Sequence, residues 1–563
     1  MKNRLLLMLI LFGGMVIFNS CNEKTLLNKY PKDAPNADNF FIGVNSARQA
    51  AMSPQAVMSL IPHDFRRYWV TYQDIFSDDS FSRNVGDRLP ALNWSADPTW
   101  YHFGSWYFCY YKGINNANFA IDGIPKSTDP TFTAEKQKPY IAVAKLWKGF
   151  CYLQLTNYWG DANYWPNFLE NPDSAFVARE PRAAVVAKFI EDLKYAKANL
   201  PHSWTGDDVG FPTSAAAAGL LAKTYLFNRD FANAVTAAAD AISIANTEGY
   251  TLMPDYTYMM SWDAQQNGNN TEFIFAFPFL LNGSSTGNQN EMMVERRVRD
   301  APGPVWNIYG GGWGYALPSH NLYDEFEAGD PRRVASMWIP GDFYGVYNQD
   351  DNFTLPADPA HGSADTIIHK GQKVYYKYAW SFANTNTRKI WEPDYKDGVP
   401  LEIDEQQDGY DIPLLRYADL VLIYAEALIE NGQVPEGIAQ INRVRARASV
   451  NMPALSTGLA QNAARIALRH ERRIELNMEG LRLADMMRWT RDDGGSGTVP
   501  GTTPGSYLEQ KFGSGLNGRP VLMRYGDNAT VKNQNLTFPK NLLFSVPQQE
   551  LDRNKKCLNN PGW

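Results

Sequence analysis

Over long stretches of the chain, apolar positions recur every three or four residues, the spacing of a helix with one buried face. In "YIAVAKLWKGFCYLQLTNYWGD" (140–161), Ile141, Ala144, Leu146, Trp147, Phe150, Cys151, Leu153 and Leu155 make a broad apolar face that stops at Gly160. "PRAAVVAKFIEDLKYAKANLP" (181–201) opens on a proline suited to a helix start and closes before another, so the two stretches predict antiparallel helices. A second pattern is duplicated. "LAKTYLFNRDFANAVTAAADA" (221–241) lies over "YAEALIENGQVPEGIAQINRV" (424–444) at an offset of 203, setting Ala222 on Ala425, Tyr225 on Leu428, Phe231 on Val434, Val235 on Ile438 and Ala238 on Ile441. Small residues recur where two helices approach closely and large ones where they interlock. Tetratricopeptide-like hairpins look like this, and their ~34-residue unit buries its face only by stacking on neighbours. With helical pairs also at 140–199 and 461–491, the pattern predicts a mostly α fold built on about four such hairpins.

The helical signal fades between about 251 and 410, where Gly, Pro, Asn and aromatic residues crowd together and short runs such as "EFIFAFPF" (272–279) and "KVYYKYAW" (373–380) alternate as strands do. A second loop-rich stretch covers about 492–540. The predicted organisation is a single body over 36–563. Its helical scaffold spans about 36–250 and 411–491, and the two insertions, carrying minor β structure, form a ligand face.

The first residues obey a different grammar. "MKNRLLLMLILFGGMVIFNSCNEK" has basic Lys2 and Arg4, an apolar run from Leu5 to Phe18 that is short for a membrane span, and small Ser20 before Cys21. This predicts a signal peptide over 1–20, a lipidated Cys21 and a polar tether over 21–35. Loss of Lys2 and Arg4 takes the formal charge from −7 to −9, which disfavours nucleic acid as a partner. Cys109, Cys151 and Cys557 remain, an odd number with no disulfide framework, and the first two sit in apolar helical surroundings as buried thiols.

Catalytic signatures are missing. The acid pairs Asp78–Asp79 and Asp350–Asp351 do not by themselves span a glycosidic bond and read as surface or helix-capping residues. The seven histidines show no HExxH spacing, and neither a G-x-S-x-G elbow nor a P-loop occurs. "DDNFTLPADPAHGSAD" (350–365) is oxygen-rich but lacks a calcium-loop spacing, so no metal and no cofactor is expected. One stretch raises its own question. "VWNIYGGGWGYALPSHNLYDEF" (305–326) hangs Trp306, Tyr309 and Trp313 on a glycine-rich backbone, where rings gain nothing from burial unless something else covers them.

Several stretches together resemble the SusD/RagB family of outer-membrane nutrient-binding lipoproteins of Bacteroidetes. They are "IFSDDS" (75–80), "TNYWGD" (156–161), "LPSHNLYDEFEAGDPRR" (317–333), "DIPLLRYADLVLIYAEALIENG" (411–432), "HERRIELNMEGLRLADMMRW" (470–489) and the closing "NNPGW" (559–563). The resemblance implies a tetratricopeptide-like scaffold, a lipid anchor at the cell surface, an oligosaccharide or polysaccharide ligand, and a SusC-like TonB-dependent outer-membrane transporter as partner. It implies a carrier and not an enzyme; peptide uptake of the RagB kind is the alternative, and a surface glycoside hydrolase a more distant one. It places the ligand loops after the "SDD" stretch and before "LPS", here 79–106 and 302–315. On that basis Trp94, Trp306, Tyr309 and Trp313 are expected to stack on sugar rings, with Arg83, Asn93 and Asp79 answering the hydroxyls, whereas Trp100 and Trp106 look like helix packing. Glu471, Arg472, Glu475, Glu479, Arg482 and Asp485, three and four apart, are expected to brace adjacent helices through ion pairs.

Overall fold

Helix packs on helix in sequence order along the first half of the chain. The computed structural model describes residues 39–60, 70–82, 86–261, 264–265, 268, 270–279, 314, 316–347, 353–354, 366–367, 372–375, 386–389, 395–396, 399–400, 411–495, 497–512, 522–524, 527–531 and 536–563. Within them run α1 (Val44–Leu60), α2 (Val70–Phe76), α3 (Tyr101–Gly123), α4 (Ala134–Tyr158), α5 (Arg182–Asn199), α6 (Ser214–Phe227) and α7 (Phe231–Thr247). From α3 onward each touches the next, and α1 lies across α3 and α4. The predicted pair at 140–199 is α4 and α5, with α4 starting earlier, at Ala134, and running through Pro139.

The stack resumes with α8 (Tyr417–Glu430), α9 (Val434–Arg445), α10 (Gln461–Leu476) and α11 (Arg482–Arg488), and shorter α12 (Ser506–Phe512) and α13 (Gln548–Arg553) follow. α8 packs directly against α7 although residues 248–416 intervene. The helical array is therefore continuous in space where the chain is not. Alanine-rich α6 makes this possible, being buried on all sides, with Gly219 so close to Leu415 that a Cβ would sit 2.2 Å from its Cδ2.

The duplicated pattern is visible atom by atom at the two hairpin turns. Asp230 N–H donates to Tyr225 O at 3.0 Å, and 203 residues on Gln433 N–H donates to Leu428 O at 2.8 Å. Between them stand Arg229 (φ 60) and Gly432 (φ 84), the left-handed residue that ends a helix with this bond.

Two antiparallel ribbons govern the insertion. β2 (Phe273–Phe277), inside the predicted "EFIFAFPF" strand, pairs with β4 (Ile412–Arg416), with Phe277 opposite Ile412 and Phe273 opposite Arg416. The long excursion between them thus leaves and returns at one place. β1 (Ser80–Phe81) pairs with β3 (Leu317–Pro318), Ser80 opposite Pro318 and Phe81 opposite Leu317. Part of "KVYYKYAW" is also a strand, Gln372–Tyr375, paired with Phe343–Tyr347. Cys109, Cys151 and Cys557 are free and buried.

Candidate ligand face and the frame beneath it

The β1–β3 ribbon joins the two segments expected to carry ligand. Because its strands are antiparallel, Phe81, where the chain leaves the ribbon, and Leu317, where it enters, lie at the same end. Ser319 locks the ribbon. Its N–H donates to Asp79 O at 2.8 Å, and its hydroxyl donates to Asp78 O at 2.7 Å. The same hydroxyl accepts the Leu322 N–H at 3.1 Å and so caps the short helix His320–Tyr323. "SDDS" and "LPSHNLY" are in this way one structural unit.

Beneath it lies a lattice of buried charge centred on α10. Asp78 takes the Arg482 guanidinium at 2.8 and 3.0 Å, and Asp79 takes Arg473 Nε at 2.6 Å. Arg473 reaches on to Glu325 at 2.6 Å, and His470 bridges Glu325 at 2.8 Å and Glu327 at 3.2 Å. Deeper in, Glu475 meets Arg447 at 2.7 Å, Arg416 at 2.8 Å and Arg332 at 3.1 Å. Arg416 also holds Glu272 at 2.7 Å and Glu479 at 2.8 Å, and Lys389 meets Glu479 at 2.5 Å. Asp485 pairs with Arg472 and Arg488, bracing α10 on α11 as expected.

Burial alone would raise the Asp78 and Glu475 carboxyls, but the guanidiniums of Arg473 and Arg482 around one, and of Arg447 and Arg416 around the other, hold both far below the ordinary range. Asp79 goes the other way, raised by burial and by Asp78 against the pull of Arg473. The cost of desolvating so many charges consumes much of their mutual attraction, so the lattice acts mainly on register. Glu272 and Arg416 mark the two edges of the insertion, Arg332 and Lys389 lie inside it, and Asp78 and Asp79 stand at the start of the first segment expected to carry ligand. Through Glu471, Arg473 and Glu475, α10 holds Asp78, Asp79, Arg332, Lys389 and Arg416, and Arg416 in turn holds Glu272.

Two expected ligand residues belong to this interior. Trp94 is 4% exposed, its Nε1–H donates to Phe76 O at 2.9 Å, and its ring meets that of Phe76 edge-on at 4.9 Å. It follows the helical turn Leu89–Leu92 at φ 54, a conformation that folds the indole under the loop. Asp79 is buried with Arg473, so it is a frame residue and not a sugar contact. The reading of Asp78–Asp79 as a surface or capping pair is corrected by the same ion pairs. Asn93 is half-buried, and its side chain has no hydrogen-bond partner among the described residues. Arg83, Trp306, Tyr309, Trp313, Cys21 and Asp350–Asp351 lie outside the described residues. Trp100 and Trp106 pack as expected: the Trp100 indole donates to Asp87 O at 3.1 Å and meets the buried Trp106 at 5.6 Å. The signal for the lattice was the surplus of arginines on α10 and α11, which needs acids from elsewhere once those helices are buried.

A stacked-helix scaffold with its long excursion closed at the β2–β4 ribbon defines a helical-repeat body. The chain belongs to the SusD family, whose model matches residues 271–563; a second model, described as starch-binding associating with outer membrane, matches 63–226. SusD-like protein P2 of Formosa agariphila is 28% identical over 467 residues, covering 80% of this chain and 79% of its own. Among solved structures, a SusD-like protein from Bacteroides fragilis superposes with a TM-score of 0.71 at 20% identity, over 95% of this chain and all of that one. A laminarin-binding SusD-like protein gives 0.68 at 21% identity, over 93% of this chain and 100% of its own. These likenesses carry the fold.

Proposed function

We propose that this protein is a non-catalytic lipoprotein, anchored at the cell surface of the outer membrane through Cys21, that captures oligosaccharide or polysaccharide and delivers it to a SusC-like TonB-dependent transporter. The β1–β3 ribbon supports the reading, because it pairs Ser80–Phe81 with Leu317–Pro318 and so brings the described ends of the two proposed ligand segments together. The name of the laminarin-binding relative supports a glycan as the ligand. Trp306, Tyr309 and Trp313 are the stacking rings of this reading, with Arg83 and Asn93 as hydrogen-bonding partners. A pyranose offers one face of C–H bonds to an indole or phenol and leaves its hydroxyls to the polar groups. Asp78 and Asp79 are committed to guanidiniums, which takes this carboxylate pair away from hydrolysis.

Affinity electrophoresis through gels containing laminarin, starch or xylan tests the reading. The wild type is expected to be retarded by at least one polymer, and the Trp306→Ala/Trp313→Ala variant to run freely with an unchanged unfolding temperature. Equal retardation of both proteins removes the proposed rings from the site. New reducing ends released from the retarding polymer would replace the carrier with a hydrolase.

A further inference from the structure

We propose that the cleft between α3, the 163–176 segment and α13 is a second carbohydrate-binding site, separate from the ligand loops. Its volume is 630 Å³, within the ~300–1,000 Å³ range of small-ligand sites. Four rings line it: Phe108 and Tyr111 from α3, and Trp165 and Phe176 from the segment opposite. Tyr111 and Trp165 meet at 4.6 Å with their planes 48° apart, forming one corner of the wall.

The wall is fixed by hydrogen bonds that ordinary loop packing would not require. Three side chains on one face of α3 hold it. Asn115 accepts the Leu169 N–H at 2.9 Å, Asn118 Nδ2 donates to the carbonyls of Trp165 and Asn167 at 2.9 Å each, and Asp122 accepts the Phe168 N–H at 2.8 Å. The Trp165 N–H donates to Tyr152 Oη at 2.7 Å, and the Asn163 N–H to Tyr111 Oη at 2.8 Å. Val177 O accepts from Asn163 Nδ2 at 2.5 Å and from Asn554 Nδ2, just after α13, at 2.8 Å. A ligand entering this cleft orders little, so its contacts are not offset by loop entropy.

Most of the wall's polar groups are used in fastening it, the Trp165 indole N–H and Asn118 Oδ1 excepted, whereas three side chains at the mouth are not. The side chains of Lys112, Gln549 and Arg553 line the cleft and have no hydrogen-bond partner among the described residues. Glu550 spends one oxygen on Asn554 at 2.8 Å. Aromatic walls with both donors and acceptors at the rim match a pyranose, which is apolar on a face and hydroxylated at its edge. An acyl chain would strip water from Lys112 and Arg553 without replacing it, and a phosphate would meet Glu550. Every lining residue lies outside 79–106, 251–410 and 492–540. Two sites on one body let a polymer held at the ligand loops rebind at a high local concentration. That consequence rests on the proposed function; the lining does not.

Saturation-transfer NMR of the soluble chain from residue 22 with maltose, cellobiose and laminaribiose tests the cleft. In the Trp306→Ala/Trp313→Ala background, at least one disaccharide is expected to keep its signal. Adding Phe176→Ala/Gln549→Ala should weaken its affinity about fivefold or more. Arg553→Ala, an exposed change that leaves the fold alone, should weaken it in the same direction. A signal indifferent to all three cleft changes, or no signal from any disaccharide in that background, overturns the second site. Failure of the ligand-loop reading appears separately, as polymer retardation that the indole variant leaves intact.

Discussion

The regions around α3–α4 and around α10 are both buried at their centres, but they are filled by opposite chemistry. The first is a mass of rings. Phe76, Phe103, Trp106, Tyr158 and Trp159 all meet Phe544 within 6.5 Å, and Trp147 lies against Phe275 and Phe277 at 4.8 and 5.3 Å. The second is a mesh of guanidiniums and carboxylates in which Arg332, Arg416, Arg472 and Glu475 are each 1% exposed or less. Rings interlock by volume and tolerate small shifts; charges demand particular partners at particular distances. The ring-filled region supports the stack, and the charged one dictates where the insertion and the segment after Asp79 are tied.

The sharpest way to break the comparison is to remove one charge from the centre. Glu475→Ala removes the carboxylate that Arg332, Arg416 and Arg447 have in common and should cost about 3–5 kcal/mol, read by denaturant unfolding. Trp147→Phe is the counterpart in the aromatic region. Its indole N–H has no acceptor among the described residues, so losing it removes a burden while the smaller ring keeps much of the packing; the expected cost is about 1–2 kcal/mol. Equal losses would erase the distinction between the two regions.

A pH series sharpens it further. Burial pulls the His470 imidazolium down, but its hydrogen bond to Glu325 and the charges of Glu325, Glu471 and Glu327 win, so its pKa lies above 6.5. A group raised on folding adds stability that is complete below its unfolded value and is lost as pH rises through the folded one. Wild type should therefore lose up to about 1 kcal/mol relative to His470→Gln between pH 6 and 9. Glu325 is depressed despite its burial, chiefly by Arg473, so its own contribution disappears only in acid well below the ordinary carboxylate range. The smallest expected effect is in the turn. Arg229→Gly should stabilise by about 0.5 kcal/mol, relief of the φ 60 strain slightly outweighing loss of the contact over Phe231.

Periodicity was enough for the helical pairs, since a face that must be buried repeats along the chain. The 203-residue offset survives down to a single hydrogen bond in each turn because helix ending is local chemistry. The continuity of α7 with α8 was not legible, because contacts across residues 248–416 leave no periodic trace. Trp94 and Asp79 mark the other boundary of what sequence carries. A tryptophan in a loop reads the same whether its ring faces water or folds beneath, and an acid reads as solvated until a distant arginine is known to meet it. Arg473 is that arginine for Asp79, and 394 positions separate them.

The β2–β4 ribbon has a further consequence. With its two ends already held together, the excursion from 278 to 411 can lengthen at little expense, about 0.6 kcal/mol for each doubling of a flexible loop. Evolution can therefore exchange this segment much as a drill takes a new bit, while the handle stays as it was.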